Sequence, residues 1–208
     1  MLQFITHPSS RFSIADEVRM VIEGGCQWVQ LRMKDASDDE VRRVAEEIIP
    51  LCKESGTILV IDDRVELTME LRVHGVHLGK HDMPVQEARE YLGPHAIIGA
   101  TANTVGDILD LKGLDVDYVG LGPFRYTDTK KNLSPILGAD GYRNIIKDIQ
   151  AAEVELPVVA IGGITIEDVD ELMATGVNGI AMSGAIINAD DPVDYTRRVI
   201  EKLNSYRR

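Results

Sequence analysis

Short apolar runs recur along the chain, each broken by a glycine, a charge or a turn and followed by a segment with helical spacing. The runs are "LQFIT" (2–6), "CQWVQLR" (26–32), "TILVID" (57–62), "GVHLG" (75–79), "AIIGAT" (96–101), "DYVGLG" (117–122), "PVVAIGG" (157–163) and "GIAMSG" (179–184). Continuous apolar runs of this length suit strands buried on both faces. Between them, "DDEVRRVAEEIIPLCKES" places Val41, Val44, Ala45, Ile48 and Ile49 on one helical stripe, and "EDVDELMATG" and "PVDYTRRVIEKLNSY" behave alike. Asp38 and Thr165 read as helix N-caps, and Gly56 and Gly176 as helix ends. The longest ambiguous connection runs from about 125 to 140, after the sixth run.

Eight strand–helix units predict parallel strands joined by right-handed crossovers. The fold class is α/β, and the expected architecture is a compact (β/α)8 TIM barrel occupying residues 1–208 as one domain. An open doubly wound sheet is the rival arrangement. In a barrel, the residues just after each strand converge on one rim, where active sites lie.

Composition narrows the partners. The chain has 208 residues, 22 basic against 34 acidic, for a net charge of -12. That balance argues against nucleic acid and anionic membranes as partners, because both demand a basic footprint. It also makes any local group of cations informative. The two cysteines, Cys26 and Cys52, lack a CxxC neighbour and read as reduced structural thiols. "MLQFITHPSS" lacks the basic start and apolar stretch of a signal peptide, so a cytoplasmic location is expected.

The strand ends carry chemistry. After the second run, Gln30, Arg32 and Lys34 alternate and share one side of an extended segment. Two readings stay open: a polyanion site, or a solvated strand end with Lys34 paired to Asp35 or Asp38. Asp62 and Asp63 leave the third run together, and Asp82 follows Gly79 after the fourth. Carboxylates gathered at a barrel mouth suit Mg2+, which takes oxygen ligands and bridges to phosphates. Capping of the following helices is the competing reading. Thr101 and Thr104, after the fifth run, either cap the next helix or meet a ligand. After the sixth run, "YVGLGPFRYTDTKKN" gathers Thr127, Thr129, Lys130 and Lys131, a set of donors suited to an oxyanion. The seventh and eighth runs end in Gly162–Gly163 and Ser183–Gly184, small residues before helices, as in barrels that cradle a phosphate on backbone N–H groups. The unaided reading is therefore a barrel with two anionic sites, one for a diphosphate-bearing donor and one for a phosphate-bearing acceptor.

The segments "QLRMK" (30–34), "DDRVEL" (62–67), "GVHLGKHD" (75–82), "GLGPFRYTDTKK" (120–131), "AIGGIT" (160–165) and "MSGAI" (182–186), in this order and spacing, resemble the thiamine phosphate synthase family. The resemblance implies a (β/α)8 barrel transferase that joins a hydroxymethylpyrimidine diphosphate to a hydroxyethylthiazole phosphate and releases pyrophosphate. It implies that Gln30, Arg32 and Lys34 bind the pyrimidine diphosphate, with Asp62 beside them, and that Asp63 and Asp82 hold Mg2+. It places Thr101 near the reacting centre, where the family has serine. Thr127, Thr129 and Lys130 match the family's T-x-T-K loop, and Gly163, Ser183 and Gly184 match its thiazole-phosphate cup. Asp62 stands where the family usually has Asn, and a second carboxylate would repel diphosphate unless protonated or facing metal. Asn103 stands where a paralogous thiazole tautomerase relies on His. That tautomerase is the rival within the family, and a non-catalytic phosphate-binding barrel is the rival outside it. The sequence leaves open whether the chain forms a homo-oligomer.

Overall fold

The computed structural model describes residues 1–126 and 135–206. Its strands are β1 (Leu2–Ile5), β2 (Trp28–Leu31), β3 (Ile58–Asp62), β4 (Gly75–Leu78), β5 (Ile97–Ala102), β6 (Tyr118–Leu121), β7 (Val158–Ala160) and β8 (Gly179–Met182). Each pairs in parallel with the next, and β8 pairs with β1 through Leu2–Ile180 and Phe4–Met182, which closes the barrel. Closure leaves no edge strand and excludes the open doubly wound sheet.

Helices α1 (Ile14–Glu23), α2 (Asp38–Ser55), α3 (Val65–Leu71), α4 (Val85–Leu92), α5 (Val105–Asp110), α6 (Gly138–Ala151), α7 (Val169–Met173), α8 (Gly184–Ile187) and α9 (Pro192–Asn204) follow the strands. On α2, Val41, Ala45, Ile48 and Cys52 are buried against the barrel, while Val44 and Ile49 lie half-buried at the edges of the stripe. The α2 N-cap is Ser37, not Asp38. Its side chain accepts from the Glu40 N–H while Glu40 accepts from the Ser37 N–H, forming a capping box that places Asp38 in the first turn. Gly56 ends α2 in the left-handed conformation at φ 69°. Thr165 does cap its segment, here a single 3-10 turn over residues 166–168 that leads into α7. α7 stops at Met173, three residues before Gly176.

Two layers of packing follow. Outside the barrel, the helices bury Val29, Leu31, Ile61, Val119 and Ile180 among their own apolar faces. Inside, Ile5, Trp28, Tyr118, Val159 and Ala181 cluster, with the Trp28 and Tyr118 rings edge to face at 4.7 Å. Cys26 and Cys52 are both buried and free. Among the described residues, no helix is long and apolar enough to cross a membrane.

Candidate active site at the C-terminal rim

The β2, β3 and β4 exits form one charged cluster. Asp62 ends β3 and is buried, 4% exposed, with its Oδ2 3.5 Å from Arg32 Nε. Lys34 Nζ lies 3.2 Å from Asp63 Oδ2. The sequence alternatives for Lys34, Asp35 or Asp38, are therefore not its partners in this ion pair. Asp38 instead accepts from Arg64 Nε at 3.0 Å.

Asp63 turns out of β3 with φ 67°, a left-handed backbone that Asp tolerates better than most residues. Its N–H donates to the His77 carbonyl at 2.9 Å, which holds this turn against β4. Asp82 reaches the same place from the other side. Its Oδ2 accepts from the Gly79 N–H at 2.5 Å, and its carboxyl hydrogen-bonds that of Asp63. Neither aspartate side chain caps the helix that follows: α3 and α4 begin without a side-chain cap bond. Gly79 makes the convergence possible, since a Cβ there would stand 2.7 Å from Asp82 Oδ2 and 3.9 Å from Asp63 Oδ1.

The protonation of this cluster follows from burial and contact. Burial, reinforced by the Asp63 charge, pushes the Asp62 carboxyl up to about 7. Burial also works against charge on Asp63, but the bond from Asp82 and the Lys34 ammonium outweigh it and hold Asp63 below its usual range. Burial and that same bond raise Asp82. The two carboxyls thus meet with opposed shifts, and Asp63 Oδ1 is buried without a hydrogen-bond partner among the described residues. Two carboxylates in contact, one with a bare buried oxygen, fit a divalent cation. Among the described residues, no three His, Cys, Asp or Glu side chains gather as a metal site. A two-carboxylate set matches Mg2+, which keeps several waters, rather than a closed tetrahedral zinc site.

Thr101 sits in β5, half-exposed, with its Oγ1 3.0 Å from His77 Nε2. Thr104 is the α5 N-cap, accepting from the Asp107 N–H at 3.1 Å. Asn103 Nδ2 donates to the Gly122 carbonyl at 2.5 Å and ties the β5 exit to that of β6. Thr127, Thr129, Lys130 and Lys131 lie outside the described residues.

The β6 chain reaches the β7 exit before that point. Both terminal nitrogens of the Arg125 guanidinium donate to Asp168 at 2.6 Å, and Arg125 also donates to the Gly163 carbonyl at 3.0 Å. The guanidinium lies over the Phe124 ring at 4.9 Å. Gly163 has φ 66°, and a Cβ there would stand 2.5 Å from Arg125 Cγ. Glycine at this position therefore answers to backbone conformation and to the crossing β6 loop, in addition to any ligand. Next door, Ser183 precedes the single-turn α8, and its Oγ is buried without a hydrogen-bond partner among the described residues. β7 and β8 are paired, so Gly163, Ser183 and Gly184 share one side of the rim.

Sequence reasoning brought Gln30, Arg32, Lys34, Asp62, Asp63, Asp82 and Thr101 to the β2–β5 side of the rim; the structure gathers Arg32, Lys34, Asp62, Asp63, Asp82 and Thr101 there, while Gln30 lies buried within β2. It missed Gly79 and the Arg125–Asp168 tie, and it did not foresee the buried hydrogen bonds of His77. A histidine in the apolar run "GVHLG" was the available signal, because a polar side chain in a buried strand needs partners.

Fold and site define a class: a closed (β/α)8 barrel with a carboxylate-and-cation cluster on one part of its rim and a small-residue turn pair on another. The family described as thiamine monophosphate synthase matches residues 2–186. A thiamine-phosphate synthase of Bacteroides fragilis is 55% identical over 199 residues, covering 96% of this chain and 98% of the relative. One of Pyrococcus horikoshii is 38% identical over 189 residues, covering 89% and 88%. The solved thiamine phosphate pyrophosphorylase of Pyrococcus furiosus superposes with a TM-score of 0.86 at 31% identity, covering 99% of this chain and 96% of that one. The chain belongs to the thiamine monophosphate synthase family.

Proposed function

We propose that the chain condenses 4-amino-2-methyl-5-hydroxymethylpyrimidine diphosphate with 4-methyl-5-(2-hydroxyethyl)thiazole phosphate, giving thiamine phosphate and pyrophosphate, as a transferase of a non-methyl alkyl group. The observation that carries this reading is the Asp63–Asp82 pair with a bare carboxylate oxygen, set beside Arg32 and Lys34. A diphosphate needs such a cluster, and a monophosphate does not.

In this reading the bond between the pyrimidine methylene and the diphosphate oxygen breaks first, and its electron pair leaves with pyrophosphate. The methylene cation is delocalised into the pyrimidine. The thiazole nitrogen then supplies the pair for the new C–N bond. No strong base is needed for that bond. The protein's task is to hold the two substrates in line and to stabilise charge on the departing group. Arg32, Lys34 and, from the β6 loop, Lys130 supply positive charge to the diphosphate, and Gln30 lines the same subsite. Asp63 and Asp82 would hold Mg2+, which neutralises leaving-group charge when bound. Thr101 faces the reacting centre. Thr127, Thr129, Gly163, Ser183 and Gly184 take the thiazole phosphate, and the bare Ser183 Oγ supports that assignment. Asp62 does not repel the diphosphate while it is protonated, and its contact with Arg32 orients the guanidinium.

The tautomerase reading requires a base at position 103. Asn103 is an amide already engaged with the Gly122 carbonyl, so it offers none. Purified protein given both substrates and Mg2+ should release pyrophosphate and form thiamine phosphate; absence of product under these conditions refutes the assignment.

A further inference from the structure

A chain of buried polar side chains crosses the barrel interior beneath the rim. Gln3 Nε2 donates to Tyr118 Oη at 3.1 Å. Tyr118 Oη lies 3.0 Å from His77 Nδ1, and His77 Nε2 lies 3.0 Å from Thr101 Oγ1. Gln3, Tyr118 and His77 are all buried, and Thr101 is the member that reaches the rim. The neighbouring strands are thinned to admit the rings. A Cβ at Gly99 would stand 2.1 Å from Tyr118 Cζ, and one at Gly120 would stand 3.0 Å from His77 Cε1.

The hydrogen-bond inventory gives this chain a direction. A phenol has one proton and two acceptor sites. Gln3 donates to the Tyr118 oxygen, and His77 Nδ1, 3.0 Å away, is the acceptor within reach of the phenol's own proton. Burial keeps that phenol protonated by driving its pKa upward. A neutral imidazole that accepts at Nδ1 carries its proton on Nε2. That proton meets Thr101 Oγ1 as an acceptor, so the hydroxyl hydrogen of Thr101 points away from the ring and into the mouth.

We propose that Gln3 and Tyr118 fix His77 as the Nε2–H tautomer and thereby aim the Thr101 hydroxyl as a donor at an anionic oxygen of the diphosphate substrate. Tyr118 and His77 are positioning residues acting through Thr101. The last step of this inference rests on the diphosphate-transfer reading; the tautomer does not.

The test uses the full chain labelled with 15N-histidine, with the His77 ring assigned through bonds from its own backbone. Long-range 1H–15N correlation at neutral pH should show a bare Nδ1 and a protonated Nε2. A protonated Nδ1, alone or together with Nε2, overturns the proposal and needs no variant that might fail to fold. In turnover, Tyr118→Phe should lower kcat by about fivefold, the loss of one neutral hydrogen bond, while leaving KM for the thiazole phosphate unchanged. Adding Tyr118→Phe to Thr101→Val should cost nothing further; losses that multiply would break the link between the two residues. Wild-type protein that shows the stated tautomer yet turns over neither substrate refutes the activity and the aim of Thr101, while the tautomer assignment survives.

Discussion

The Asp62 carboxylate lies 3.5 Å from the Arg32 guanidinium, and this contact sits where the second charge of the Asp62–Asp63 pair would oppose a diphosphate. Asp62 is held up to about 7 by burial and by the neighbouring Asp63. Below that value it is neutral, and above it a negative charge enters the cluster. Asp62→Asn should therefore leave KM for the pyrimidine diphosphate near wild type at pH 6 and lower it by about threefold at pH 8, where the wild type carries the extra charge. A KM series across that range checks it; equal shifts at both ends would instead point to simple repacking.

Asp63 and Asp82 converge over Gly79, whose missing Cβ leaves room for them. Asp63→Ala should raise the Mg2+ concentration needed for half-maximal turnover by about tenfold or more, the usual consequence of losing a ligand. Gly79→Ala should do the same to a smaller degree by displacing Asp82, although position 79 offers the metal no side-chain oxygen. An Mg2+ titration that neither change moves would remove the pair as ligands.

Lys130→Ala should lower kcat by about a hundredfold or more, the scale of a lost charge-stabilising group at a departing anion. Its thermal midpoint should match wild type. Kinetics that stay level would take Lys130 out of the site, and a large fall in the midpoint would assign it to the fold.

Glu17 on α1 is fully buried, with one oxygen accepting from the His7 N–H at 3.2 Å and the other without a partner among the described residues. Burial pushes its pKa up to about 7. Because the folded value exceeds the unfolded one, folding favours the protonated acid, and stability falls as pH rises from about 4.5 to about 7. Glu17→Gln should flatten that decline, gaining on the order of 2 kcal/mol relative to wild type at pH 8. Thermal midpoints of the two proteins at pH 5 and pH 8 measure it; parallel profiles would show that Glu17 ionises freely.

The closed barrel was legible because strand-length apolar runs alternate with helical stripes and because parallel strands demand crossovers. Several runs reach beyond the observed strands at their C-terminal ends, as "PVVAIGG" does by three residues against Val158–Ala160. Glycines and charges at those ends belong to the rim, and composition alone does not separate strand from exit. The Ser37 cap was missed because serine and aspartate are interchangeable as caps, and only the reciprocal bond with Glu40 distinguishes them.

By itself, the sequence determined the order of elements, the acidic background against which Arg32, Lys34 and Lys130 stand out, and the segments that carry the family likeness. These are local or additive properties of the chain. Tertiary structure decided which charges meet: Lys34 with Asp63, Arg32 with Asp62, and Asp82 with Asp63. It also decided that His77, 24 residues from Thr101, lies against its hydroxyl. Such pairings depend on the register of parallel strands and on where a missing Cβ lets two side chains approach. Both are set by packing across the barrel, over sequence separations that no local pattern encodes.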